Sequence, residues 1–267
     1  MGGKFCISVD LEGVACVSGS GGKGLSCESV SYSFAAKQAT READAAARAL
    51  FDCGACEVII WDSHGTGVNL DYDAFDKRCK FAIGAGSRIR FPGVDSSFDG
   101  VLFIGYHAYD TEKATLSHVF SSSANASHLI NGEPVGELQF DAAIAGKRGV
   151  KTLFVASDDI CISQSIKSFP WAKTVVTKES LAWNSCLSRH PAAVVEEIYK
   201  KVCEAVAQID SMKEYKIKEP FELTVSYKHI DIAQRCNLHS IDNKPFEIVD
   251  AYTRKGVLAD IEDYFLY

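Results

Sequence analysis

Asp10, Glu12, His64, His107 and Glu137 are the side chains of this 267-residue chain whose types and placement suit a divalent cation. Asp10 and Glu12 follow the alternation Phe5, Ile7, Val9, Leu11, so two carboxylates leave the end of one strand on the same side. At a strand rise their roots lie roughly 7 Å apart, and an ionised, unpartnered pair costs about 2 kcal/mol at an effective dielectric of about 20. A cation between them removes that cost; a solvated strand end with two acidic caps is the plainer alternative. His64 and His107 follow two further apolar runs, Glu57–Trp61 and Gly100–Gly105, and Asp158 follows a fourth, Lys151–Ala156. A single His at a strand end is ordinarily a hydrogen-bonded structural residue. Two of them beside an acidic pair favour a metal site, and Asp, Glu and His donors suit Zn²⁺. Three carboxylates and one hydroxide balance two divalent ions, whereas one ion leaves the set over-charged. Two ions about 3.5–4 Å apart can hold a bridging hydroxide, and taking water from a pKa of about 15.7 to about 7 removes roughly 12 kcal/mol of deprotonation cost. His118 is then available for proton transfer or oxyanion stabilisation, although spacing alone does not separate it from His128.

These groups need elements to hold them. Phe34–Phe51 reads as an Ala-rich helix with Ala39, Ala43, Ala46 and Leu50 on one face and Gly54 as its stop. Glu57–Trp61, Phe81–Ile83, Gly100–Gly105 and Lys151–Ala156 read as strands, with a helix from Leu138 to Lys147 after the turn Asn131-Gly132-Glu133-Pro134. Near-continuous apolar strands alternating with helices predict a parallel sheet covered on both faces, with ligands beyond the carboxyl ends of the strands. The Gly- and Ser-rich stretch Ser18–Ser31 lacks the spacing of a phosphate-binding loop, and its length suggests a lid near the carboxylates. After a connector, Trp183–Pro191, the pattern changes: a long amphipathic helix Ala192–Ile209 with Pro191 suited to its first turn, a strand Glu222–Tyr227, a helical stretch Ile230–Cys236, a strand Phe246–Val249 and a helix Val257–Phe265. The expected organisation is an α/β chain with a Rossmann-like metal-binding catalytic domain over residues 1–186 and a smaller α+β lobe over residues 187–267.

The bulk properties exclude several classes. A net charge of −7, without a local Lys/Arg cluster, argues against nucleic-acid or anionic-membrane partners. No apolar run approaches the roughly 20 residues of a membrane span. The chain runs from Met1-Gly2-Gly3-Lys4 straight into a strand without a secretory apolar region, so the expected location is cytoplasmic. Its ten cysteines are scattered, many in apolar segments, as small hydrophobes are. Cys53-Gly54-Ala55-Cys56 ends a helix and precedes a strand, the wrong polarity for a redox motif, and no second pair completes a zinc ribbon.

Five segments in order, Ser8-Val9-Asp10-Leu11-Glu12-Gly13, Asp62-Ser63-His64, Gly105-Tyr106-His107-Ala108, Ser117-His118 and Pro134-Val135-Gly136-Glu137-Leu138, resemble the motifs of the zinc D-aminopeptidases, originally labelled dipeptide-transport proteins. The resemblance covers roughly residues 5–160 and is looser beyond. It implies two Zn²⁺ per subunit, with Asp10 bridging, Glu12, His64, His107 and Glu137 completing the shells, and His118 as the catalytic histidine. It implies a Rossmann-like domain with a smaller lobe, a ring-shaped homodecamer, and removal of an N-terminal residue, typically a D-amino acid such as D-Ala, from short peptides through a metal-bridging hydroxide. Two other readings stand beside it: a binuclear phosphoesterase or amidase on the same centre, and a peptide-binding protein without turnover. The lack of a phosphate cradle weighs against the first, and the lack of a signal peptide against a periplasmic version of the second.

Overall fold

The computed structural model describes residues 2–19, 24–84, 89–109 and 113–266. In chain order the elements are β1 (Lys4–Val9), α1 (Tyr32–Asp52), β2 (Glu57–Asp62), β3 (Lys80–Ala82), β4 (Gly100–Tyr106), β5 (Asn125–Ile130), β6 (Glu133–Pro134), α2 (Glu137–Lys147), β7 (Lys151–Ser157), α3 (Asp159–Ser168), β8 (Lys173–Val176), β9 (Lys178–Ala182), β10 (Ser185–Ser188), α4 (Pro191–Ala207), β11 (Phe221–Tyr227), α5 (Ile230–Gln234), β12 (Glu247–Ile248) and β13 (Thr253–Leu258).

Six strands form a parallel sheet in the order β3-β2-β1-β4-β7-β8. The sheet grows from β1 through β2 and β3 in one direction and through β4, β7 and β8 in the other, so the winding reverses between β1 and β4. That is where a doubly wound sheet opens a crevice at its carboxyl edge. The alternation in β1 divides two cores. Phe5, Ile7 and Val9 pack with α1 and α4, through Ala35, Ala39, Ala43, Ala46 and Leu50 of the first helix and Val194, Ile198 and Val202 of the second. Cys6 joins the opposite core with Phe103 of β4, Leu138 and Phe140 of α2 and Cys161 of α3. The expected Rossmann-like sheet with helices on both faces is therefore what forms.

A second sheet, antiparallel in the order β12-β13-β11-β5-β6, lies beyond α2 and shares the second core through Ile130, Phe221, Leu223 and Val225. Nine of the eleven α2 residues are buried, which is why that helix carries little polar surface. Residue 187 does not mark a spatial division. β5 and β6 lie before it yet belong to the second sheet, and α4 lies after it yet packs with α1 against the first. Two expectations for this half are corrected. Residues 257–265 are not a helix: Thr253–Leu258 pairs with β11 as β13, and a short 3-10 turn, Ile261–Phe265, follows an Asp260 cap. The connector expected from Trp183 to Pro191 contains β10, which pairs with β9 as a hairpin, before α4 starts at Pro191 with His190 as its N-cap.

Candidate metal centre

Two glycines let the ends of β1 and β4 meet. Gly105 has a φ of +75°, a left-handed backbone, and a Cβ there would lie 2.0 Å from the Asp10 carbonyl oxygen. Gly13 donates its N–H to the Gly105 carbonyl at 2.7 Å, and its own Cβ would lie 1.9 Å from the Tyr106 carbonyl oxygen. The pairing of β4 with β7 slips at the same place, between Ile104 and Tyr106. Past this interlock His107 faces the carboxylates, its Nε2 3.6 Å from Asp10 Oδ2.

The segment that carries Glu12 is held by two buried charges. Lys178 Nζ donates to the carbonyls of Glu12, Val14 at 3.1 Å and Val17 at 2.7 Å. Burial lowers its basicity, while Asp158 and other acidic groups oppose that fall. Glu42 of α1 accepts the Ala15 N–H at 3.0 Å and the Gln38 side-chain amide at 2.8 Å; burial pushes its carboxyl up to about 7. On the β2 side Asp62 accepts from Asn69 N at 2.6 Å, Asn69 Nδ2 at 2.6 Å, Leu70 N at 3.1 Å and the Tyr72 hydroxyl at 2.9 Å. Asn69 Nδ2 also donates to the His64 carbonyl at 2.6 Å, fixing the turn that aims His64 inward.

The donors then form one continuous cluster. His64 Nδ1 stands 2.8 Å from Asp10 Oδ1 and 3.2 Å from Glu12 Oε2. His107 Nε2 stands 3.2 Å from Glu137 Oε1, and His118 Nε2 stands 3.8 Å from the same oxygen. The His107 and His118 rings stack at 3.8 Å between centroids. Donor atoms of Asp10, Glu12 and His107 lie within 4.8 Å of one another, and so do those of His107, His118 and Glu137. Glu137 is the first residue of α2, where the helix dipole favours an anion, and its Oε1 also accepts the Phe120 N–H.

The other ring nitrogens assign the tautomers. His64 Nε2 faces the Leu25 carbonyl at 3.1 Å, His107 Nδ1 the Ala108 carbonyl at 3.1 Å, and His118 Nδ1 the Leu116 carbonyl at 2.8 Å. Each ring thus donates outward to a backbone oxygen and turns its remaining nitrogen to the carboxylates, the arrangement by which a protein orients a metal-binding imidazole. Without a cation, protons serve as the counter-charge. Burial disfavours a charged His107, but Glu137, Asp10 and Glu12 outweigh it and raise the imidazole to about 10. His64 is likewise raised against its burial by Glu12 and Asp10. His118 goes the other way, lowered by burial and by its stacked neighbour His107, so its Nε2 is unprotonated near neutral pH.

The donor set fits a metal. Glu12 Oε2 and His107 Nε2 are buried polar atoms without an aligned hydrogen-bond partner, despite their close neighbours. Orphaned buried groups of that kind are costly, and a cation satisfies both at once. A cavity of about 770 Å³ opens over the cluster and is lined by Asp10, Glu12, His64, His107, His118 and Glu137. Leu25, Ser26 and Cys27 of the glycine- and serine-rich stretch reach this cavity; residues 20–23 of the expected lid lie outside the described residues. Asp158, the fourth strand-end acid, is not part of the cluster. It caps α3, accepting the Ile160 and Cys161 N–H groups at 3.0 Å. His128 lies behind the cavity wall, its Nε2 2.9 Å from the Tyr264 hydroxyl.

Sequence reasoning passed over a buried chain behind the centre. Arg90 binds Asp141 through Nε at 2.7 Å and Nη2 at 2.5 Å, the Tyr106 hydroxyl donates to Asp141 at 2.5 Å, and Ser8 Oγ meets that hydroxyl at 2.7 Å. The available signal was Asp141, one turn after Glu137 within an otherwise apolar helix. Lys178, directly after the strand Lys173–Val176 and Thr177, was a comparable signal.

Residues 4–261 match the family model of the M55 peptidases, described as D-aminopeptidase. A D-aminopeptidase of Bacillus subtilis strain 168 is 27% identical over 243 residues, covering 88% of this chain and 85% of that protein. The solved structure of a Zn-dependent D-aminopeptidase from Bacillus subtilis, described as a self-compartmentalizing protease, superposes with a TM-score of 0.87 at 25% identity, covering 98% of this chain and 94% of that one. By its sequence from the first strand to the final turn, the chain belongs to the D-aminopeptidase family of peptidases, M55.

Proposed function

We propose that this chain removes the N-terminal residue, a D-amino acid such as D-Ala, from short peptides at a centre of two zinc ions. The observation that carries the reading is the convergence of Asp10, Glu12, His64, His107 and Glu137 with Glu12 Oε2 and His107 Nε2 left without aligned partners. Asp10, Glu12, His64, His107 and Glu137 would hold the ions. Bound zinc supplies Lewis acidity toward the peptide carbonyl and lowers the pKa of water toward about 7. The chain's own groups do the rest. His118 is the unprotonated imidazole at the rim, so its Nε2 takes a proton from the attacking water and returns it to the leaving amine. The Leu116 carbonyl keeps its Nδ1–H in place during that exchange.

A phosphoester substrate is less well served. Among the described residues lining the cavity the only Arg or Lys is Arg90, and both of its bonded nitrogens are committed to Asp141. The reading extends to a cytoplasmic enzyme acting as a homo-oligomeric ring, a decamer; the self-compartmentalizing description of the structural neighbour supports an assembly of that kind.

The test combines metal analysis with hydrolysis. Chelated protein should lose cleavage of a D-Ala dipeptide and regain it with Zn²⁺ at two ions per chain. Glu12→Ala and His107→Ala should lose bound zinc and nearly all activity, whereas His118→Ala should keep the zinc and lose turnover by about 100-fold or more. Full activity in a metal-free preparation would refute the reading.

A further inference from the structure

Several residues of the cavity wall take no part in the site described so far. It begins at Glu137, whose carboxylate is bonded to the N–H of Phe120, and runs away from the metal ligands as an aromatic surface. The Phe120 ring stacks on Tyr264 at 5.0 Å with 28° between planes and meets Phe265 edge-on at 5.4 Å. Tyr227 of β11 and Leu238 continue the surface. Near His64 the wall is mixed, with Ser26, Thr66 and Asn69 beside Leu25 and the Tyr32 ring.

The polar atoms of Tyr264 and Arg90 on the aromatic side are satisfied from behind. The Tyr264 hydroxyl meets His128 Nε2 at 2.9 Å, and burial lowers that imidazole to about 4, so it accepts. The Arg90 guanidinium lies over the Trp61 ring at 4.5 Å and the Phe265 ring at 5.1 Å, with Asp141 as its ion partner. Beside Ser121, Ser122 and Asn237, this side offers a ligand ring surface, and apolar side chains gain by leaving water for such a surface. Phe120 lies two residues after His118 and lines the same cavity, so the wall adjoins the histidine that would protonate the leaving amine.

We infer that the Phe120–Tyr264–Phe265 wall is the subsite for the residue on the leaving side of the scissile bond, and that it selects a bulky apolar or aromatic side chain there over alanine. This rests on the aminopeptidase reading above and names its substrate class. Apolar pockets discriminate by about tenfold or more for each well-packed increment of side chain.

The experiment uses zinc-loaded full-length protein and the dipeptides Ala-Ala, Ala-Leu, Ala-Phe and Phe-Ala, each in D,D and L,L form. The expected result is a kcat/KM for Ala-Phe and Ala-Leu at least tenfold above Ala-Ala, carried mainly by KM, with no such gain for Phe-Ala. In Phe120→Ala the ratio of Ala-Phe to Ala-Ala should fall to within about threefold. Using a ratio within one protein cancels any loss of zinc or folded fraction. Equal or better cleavage of Ala-Ala by the unmutated chain, or a gain confined to Phe-Ala, overturns the subsite assignment while leaving the aminopeptidase intact. No cleavage of any member overturns the aminopeptidase reading and the subsite with it.

Discussion

Glu42→Gln should make the protein more stable at alkaline pH, by an amount that follows from its surroundings. The Glu42 carboxyl is fully buried in α1, and burial lifts it to about 7 despite the Ala15 N–H, Gln38 and Lys178. An acid whose folded pKa lies above its unfolded value binds more protons when folded. Its stabilising contribution is complete below about 4.5 and is lost as pH rises through about 7. The full difference corresponds to about 3 kcal/mol, most of which falls between pH values of about 5 and 9. Glutamine keeps the acceptor for Ala15 and Gln38 and never ionises. Its amide nitrogen would occupy the place of Glu42 Oε2, which has no partner, at a pH-independent cost of about 1–2 kcal/mol. The variant should therefore be less stable than the parent near pH 5 and more stable near pH 9. Urea unfolding of both proteins, in chelator so that metal binding does not contribute, gives the difference at each pH, and every other titration common to the two cancels. A variant-minus-parent difference constant to within about 0.5 kcal/mol across that range would refute the burial argument.

Two further substitutions probe how the centre is held. Lys178→Met removes the donor shared by the Glu12, Val14 and Val17 carbonyls, so unfolding free energy should drop by about 3 kcal/mol and zinc affinity, read by competition with a chromophoric chelator, by about tenfold or more; unchanged values on both would show that the segment needs no pin. Gly105→Ala should cost more than about 3 kcal/mol in thermal or urea unfolding because strain and a clash with the Asp10 carbonyl combine, whereas Gly84→Ala, at φ +100° with no atom within 4 Å, should cost only about 1 kcal/mol. Equal costs at the two glycines would mean that the interlock of β1 and β4 is loose.

The half of this chain that carries the candidate centre is legible because its signals are local. The central parallel strands are short apolar runs buried on both faces, and each donor stands just past the end of such a run: Asp10 and Glu12 after β1, His64 after β2, His107 after β4. The family resemblance drawn from five short segments holds over residues 4–261. What sequence could not supply is pairing at long range. Asn125–Ile130 carries no strand assignment in the sequence because its pairing partner, Phe221–Tyr227, lies far along the chain. Residues 257–265 show Val257, Ile261 and Phe265 at helical spacing, yet the backbone before Asp260 is taken by pairing with β11. Asp158 sits where a ligand would, but the N–H groups of Ile160 and Cys161 claim it first. Arg90 and Asp141 are distant in sequence, and only the packed structure shows that each neutralises the other.

The donors of the centre arrive from separate parts of the chain: Asp10 with Glu12, then His64, His107, His118 and Glu137. An unfolded polypeptide offers no comparable chelate, so an ion held there binds the native form almost alone. At free metal a thousandfold above the dissociation constant, each such ion adds about 4 kcal/mol to the native state, a large share of the stability of an ordinary domain. If the proposed centre is loaded, metal starvation would then be felt as shortened lifetime against proteolysis as well as lost turnover, and cellular abundance of the protein would track metal supply.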